Sequence, residues 1–181
     1  MAKKKPFKYH PFLDTALDLF IGFSLFNAFS AFTEWSVSTV LLIFVTLIMV
    51  DYWWSTRTFH QLPKHYLIDF YLITLVMFVF FIWPSHIDNP TVFLLLTSAF
   101  FLLDACFAFT AIFIHTERRD ESELRFYAKT EFIMSAYYFL LSFVGLELGW
   151  SLVMAVFIPY LIWFIYEIRN GYIPTKFVEA E

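Results

Sequence analysis

Apolar stretches long enough to cross a bilayer recur six times along this chain, and no other feature restricts its fold as much. Covering about 30 Å of hydrocarbon takes about 20 helical residues. Such stretches occupy residues 12–32, 37–54, 65–83, 91–114, 128–146 and 150–169. Apolar residues make up 60% of the chain and charged ones 15%, against about 25% charged in soluble domains. A soluble domain of 181 residues cannot hide that much Phe, Leu and Ile. The expected fold is therefore all-α. It is a single transmembrane domain over residues 1–181, built as a polytopic bundle of six transmembrane helices.

The basic residues orient the bundle. All twelve Lys and Arg fall on one side of the six-span arrangement: Lys3, Lys4, Lys5 and Lys8 before span one, Arg57 and Lys64 between spans two and three, Arg118, Arg119, Arg125 and Lys129 between spans four and five, and Arg169 and Lys176 after span six. The other side holds only acids and neutral residues, among them Glu34, Asp88 and Glu147. The positive-inside rule makes the basic side cytoplasmic, with both termini inside, in a cytoplasmic (inner) membrane. The basic N-terminus resembles the start of a signal peptide. Asp14 and Asp18 interrupt the apolar stretch that follows and no small-residue cleavage site appears, so a retained first span is expected.

Residues 33–36 join spans one and two, and a tight turn near residues 147–149 joins spans five and six. Both pairs are expected to be helical hairpins. Segment 115–127 is mixed in charge and reads as a solvated helical loop; its Arg118, Arg119 and Arg125 are candidates for holding a partner. With 26 Phe and four Gly and no Gly-xxx-Gly lying within a span, the bundle is expected to be loosely spaced, with a bulky lipid-facing surface. Trp35, Trp83 and Trp150 read as outer interfacial anchors, and Trp53 and Trp54 as inner ones. Pro159 should kink span six.

Acids inside apolar spans cost about 3 kcal/mol on insertion scales and are functional candidates by default. Asp51, Asp69, Glu131 and Glu167 each lie near a span end with a base close by, which also fits an interfacial carboxylate beside a snorkelling neighbour. Asp104 stands apart. It is ten residues before Ile114, about 15 Å along a helix and close to midplane, with no Lys or Arg in the interior of any span to neutralise it. It must carry its proton or meet water, a cation or hydroxyls of another helix. Residues His10, Asp14 and Asp18, four apart, form a stripe running inward from the interface. A His with carboxylates at that spacing is a candidate ligand set for a divalent cation or a proton path. His65 and Asp69 repeat the spacing. Span five carries Glu131, Ser135, Tyr138 and Ser142 on one face.

No selectivity-filter sequence, Arg ladder, phosphate loop or nucleophile motif is present. The lone Cys106 excludes a disulfide framework, a Cys-based zinc site and an iron–sulfur cluster. The net charge of −4 points away from nucleic acid. The expectation is a channel or carrier handling cations or protons through an acid-lined, cytoplasm-open cavity, oligomeric or part of a membrane complex. Asp104 is its deep site, and Asp18, Asp14, Glu131 and His10 its vestibule. The alternative is a non-catalytic membrane anchor or sensor subunit that binds a partner through its cytoplasmic loops. An enzyme using paired carboxylates with a metal comes third, for want of a compact polar motif.

Overall fold

The computed structural model describes residues 35–59, 67–115 and 118–170, with residues 18, 19, 21–23 and 26 ahead of them. Side chains are described for residues 35–52, 71–110, 112 and 125–166 and for those six early positions. The described residues are all-helical, without a strand. Helix α1 is Val37–Phe59, α2 is Leu67–Ile82, α3 is Pro90–His115, α4 is Arg118–Leu141 and α5 is Trp150–Asn170; a 3-10 turn, Trp83–His86, follows α2. Residues 18, 19, 21–23 and 26 are helical too. One helix, over Pro90–Thr110, is long and apolar enough to cross a membrane; Val37–Tyr52, Tyr71–His86 and Trp150–Tyr166 are shorter apolar helices.

Local chemistry sets the helix starts. Ser36 caps α1: its Oγ accepts from the Thr39 amide at 3.1 Å, which satisfies one of the first-turn N–H groups that a helix leaves unpaired. Asn89 does the same for α3, accepting from the Val92 amide at 3.2 Å, with Pro90 in the first helical position, where its missing N–H costs nothing. Ser38 on α1 donates to Asp88 at 2.6 Å and ties the turn before α3 to the start of α1.

The end of α4 departs from expectation. The apolar run suggests helix to residue 146, but α4 stops at Leu141. Ser142 Oγ donates to the Phe139 carbonyl at 2.6 Å, so a side chain competes for the last turn. Gly145 then takes φ 71°, a left-handed conformation that a Cβ disfavours. The link to α5 is therefore residues 142–149, longer than the tight turn expected there. No atom lies within 4 Å of where a Cβ on Gly145 would sit, so strain alone decides the effect of a substitution. Gly145→Ala should destabilise the fold by about 1 kcal/mol, read as a lowered thermal midpoint with an unchanged helical spectrum.

The largest helix–helix interface joins α3 and α4. Buried Ala105, Ala108, Ala128, Ser98 and Ser135 line it, so small residues give the close approach that Gly supplies elsewhere. Away from it the core is aromatic. Phe44 on α1 meets Phe157 and Tyr160 of α5 at 5.1 and 5.4 Å between ring centroids and Trp83 edge-on at 6.4 Å. Phe80 stacks on Phe100 at 5.3 Å. The phenylalanines are thus divided. Phe44, Phe80, Phe93, Phe100 and Phe101 fill the core, while Phe78, Phe81, Phe109, Phe132 and Phe143 stand exposed. Trp83 corrects an expectation: it is wholly buried, because the 3-10 turn carries it back over Phe80 and Phe93. Trp35 and Trp150 are exposed, as interfacial anchors would be.

Candidate functional site

Four helices bring acidic and aromatic side chains together on the side of the bundle where α1 and α3 end. Helix α1 supplies Asp51 and Tyr52, α3 supplies Asp104, α4 supplies Tyr127, and α5 supplies Tyr160 and Trp163. Tyr127 Oη donates to Asp104 Oδ2 at 2.8 Å. Tyr160 Oη donates to Asp51 Oδ2 at 3.4 Å, a long contact by hydrogen-bond standards. Trp163 packs between the two tyrosines, 6.3 Å from the Tyr127 ring and 5.5 Å from that of Tyr160. Phe101 meets it edge-on at 6.4 Å. Asp104 is buried and Asp51 half-buried. Asp51 is near enough for its charge to act on Asp104, and the charge of Asp104 reaches Tyr52.

Of the choices open to Asp104, the structure supplies a hydroxyl from another helix. It also changes the company Asp104 keeps. Tyr127 meets Asp104, and Ser135 meets Ser98, which fixes an antiparallel register between α3 and α4. Ser98 Oγ donates to the Ser135 carbonyl at 2.9 Å and Ser135 Oγ to the Ser98 carbonyl at 3.0 Å. In this register the turns from Arg118 to Arg125 run beside the last turns of α3. Arg125 is two residues from Tyr127, about 3 Å along the axis. Asp104 is therefore close to the level at which charged side chains begin, whereas counting back from Ile114 had put it about 15 Å away.

The other acids and polar residues separate. Glu131 is fully buried on the inward face of α4, and its charge reaches Tyr138. Tyr138 Oη donates to the Val156 carbonyl at 2.8 Å and its ring stacks on Phe101 at 5.4 Å. Ser135 and Ser142 are engaged with backbone carbonyls as described. Asp18 lies exposed on the early helical segment, and Arg125 is exposed on α4. His10, Asp14 and His65 lie outside the described residues. Asp69, Glu167, Arg118 and Arg119 lie on helical backbone, but their side chains are outside the described part. Among the described residues no three His, Cys, Asp or Glu side chains gather so as to hold a metal ion.

Sequence reasoning missed Tyr52, Tyr127, Tyr160 and Trp163. A usable signal was there. It points to Tyr127 alone: α4 runs antiparallel to α3, so its side chains at the level of Asp104 are natural neighbours, whereas Tyr52, Tyr160 and Trp163 lie on helices parallel to α3. Chemically, carboxylates in an aromatic shell, each facing a phenol hydroxyl, can hold a proton or a monovalent cation against the rings. Compared with known protein families, curated proteins and solved structures, the chain matches none.

Proposed function

We propose that the chain is a six-span membrane protein with cytoplasmic termini, and that it handles cations or protons at the Asp51–Asp104 pair. The observation that carries this reading is two carboxylates from different apolar helices that each face a tyrosine hydroxyl of another helix, at 2.8 Å for Asp104 and 3.4 Å for Asp51. A fold needing only one interhelical hydrogen bond has no use for a second acid beside the first, since carboxylates inside an apolar bundle are costly. The wide exposure of Phe, Leu and Ile side chains supports a lipid surround.

The register of α3 and α4 refines where the pair sits. At 26 residues, α3 is about 39 Å long, longer than the hydrocarbon is thick. The excess is the stretch flanked by the charged turns of α4, which we take to project into the cytoplasm. Asp104 is then just inside the cytoplasmic boundary, within reach of water from that side. Glu131 lies one turn beyond Tyr127 and extends the acidic path inward. Flux is the test: protein in liposomes with an entrapped pH dye should show cation- or proton-dependent signal above that of empty vesicles, and no signal under any monovalent or proton gradient would sink the reading.

The bond from Tyr127 to Asp104 also favours a second reading, a membrane anchor or sensor subunit. It fastens the charged first half of α4 to α3 and makes a rigid cytoplasmic projection for a soluble partner. Topology is common to both readings. Reporter fusions after Lys8, Lys64, Arg125 and Glu181 should all report the cytoplasm, and one on the far side would break the six-span arrangement.

A further inference from the structure

On the outer surface of the α3–α4 hairpin, away from the acidic pair, lies a groove of about 510 Å³, within the ~300–1,000 Å³ typical of small-molecule sites. Its floor is Ala105 and Ala128, both buried, where the helices approach closely. Leu102, Phe109, Phe132 and Ile133 stand up as walls, each at least two-fifths exposed. Small residues between tall ones thus leave a channel open to the surroundings of the bundle, and its lining is apolar.

Lys129 is the one charged residue along the groove, and it is exposed. A lysine at such a site can lay its methylene stem on apolar surface and keep its ammonium outside. Helical side chains lean toward the helix N-terminus, which for Lys129 is toward Arg125, one turn earlier and also exposed. No acid lines the groove. Glu131, the next acid along α4, is buried on the opposite face. The groove therefore joins an apolar trough to a basic end, the complement of an acyl chain bearing an anionic head.

We infer that this groove binds an anionic phospholipid, one acyl chain lying on the Ala105–Ala128 floor and the phosphate held at Lys129 and Arg125. The inference rests on the membrane reading above but not on the role of the acidic pair. Charge decides among occupants. A zwitterionic lipid or a helix of a second copy would fill the trough without using the basic end.

The experiment uses the purified full chain in detergent micelles doped with phosphatidylglycerol or phosphatidylcholine, with bound lipid counted by native mass spectrometry. Phosphatidylglycerol should bind about fivefold more tightly for each cation engaged, and Lys129→Glu should remove that preference. Phosphatidylglycerol with a diazirine on its acyl chain should cross-link to residues 102–109 and 132–133. Cys106→Trp, at an exposed groove position, should block the cross-link without loss of the folded protein. Equal affinity for the two lipids, a preference that survives Lys129→Glu, or cross-links elsewhere would overturn the site. Oxidative Cys106–Cys106 dimers that shield the groove would overturn it in favour of a second copy. Recovery of folded protein without detergent would instead overturn the membrane reading.

Discussion

Asp104→Asn should abolish most cation- or proton-driven flux in liposomes while leaving the helical content and thermal midpoint nearly unchanged. The amide keeps the shape of the carboxylate and still presents an oxygen to the Tyr127 hydroxyl, which donates at 2.8 Å in the native protein. What it removes is the charge. For a buried carboxylate, losing a full charge opposite a cation is worth several kcal/mol, and each 1.4 kcal/mol is about tenfold. A loss of flux of at least tenfold is therefore expected on the order-of-magnitude scale that holds for such contacts. Tyr127→Phe makes the complementary change: the carboxylate stays and its donor goes. It should weaken the fold by about 1–3 kcal/mol and leave some flux. Unaltered flux in Asp104→Asn, measured beside an intact thermal midpoint, would remove the transport role from Asp104. Loss of the folded protein in both variants would mark the Asp104–Tyr127 contact as structural, in keeping with an anchor or sensor.

The apolar helices were legible from hydropathy because their residues satisfy one simple condition, length without charge. The errors cluster where a second physical effect competes. The segment before residue 128 reads as a solvated helical loop, separate from the apolar helix after it, because charge lowers its hydropathy. Yet Glu, Leu, Arg, Ala and Lys are good helix formers, and α4 begins at Arg118. That shift carries the site with it. Once the charged turns lie beside α3, Tyr127 is no longer a loop residue but the partner of Asp104. The end of α4 was misplaced for the opposite reason. Phe143, Val144 and Leu146 are apolar, but Ser142 and Gly145 break the helix through one side-chain bond and one backbone angle that hydropathy does not register. Trp83 looked interfacial because tryptophan near a span end so often is. Its burial depends on the turn made at Pro84, a tertiary outcome. The aromatic shell of the acidic pair was illegible residue by residue, since Tyr160 and Trp163 resemble any other aromatic in a span. Only the meeting of α5 with α1 and α4 gives them a role. The His10–Asp14–Asp18 stripe falls for the most part outside the described residues, so its chemistry remains as the spacing states it.

A proline inside α5 was legible as a break in the backbone ladder, but how the bundle accommodates it was not, and it sets up the second large effect. Proline has no N–H, so the Ala155 carbonyl, four residues earlier, lacks its usual helical donor. Tyr137 Oη donates to that carbonyl at 3.0 Å, and Tyr138 Oη donates to the next one, Val156, at 2.8 Å. Two adjacent tyrosines of α4 thus serve the disturbed turn of α5. In the lipid surround proposed for the chain no water could do so, and neighbouring helices are the means by which such breaks are tolerated in membranes. Tyr138 is fully buried, so Tyr138→Phe removes a buried hydrogen bond and should cost about 1 kcal/mol. Tyr137 is at the margin of exposure, and Tyr137→Phe should cost less, about 0.6 kcal/mol by the average for such bonds in membranes. Pro159→Ala returns an amide to position 159, which can donate to Ala155 and make the Tyr137 hydroxyl redundant. Tyr137→Phe should therefore cost almost nothing in the Pro159→Ala background. The resulting coupling should be at the lower end of the roughly 0.5–3 kcal/mol seen for residues sharing a partner. Equilibrium unfolding of the two single variants and the double variant in mixed micelles measures it. Strict additivity would mean that the tyrosine hydroxyl does not fill the gap the proline leaves, and that this part of α5 is held by packing on Phe44 and Tyr127 instead.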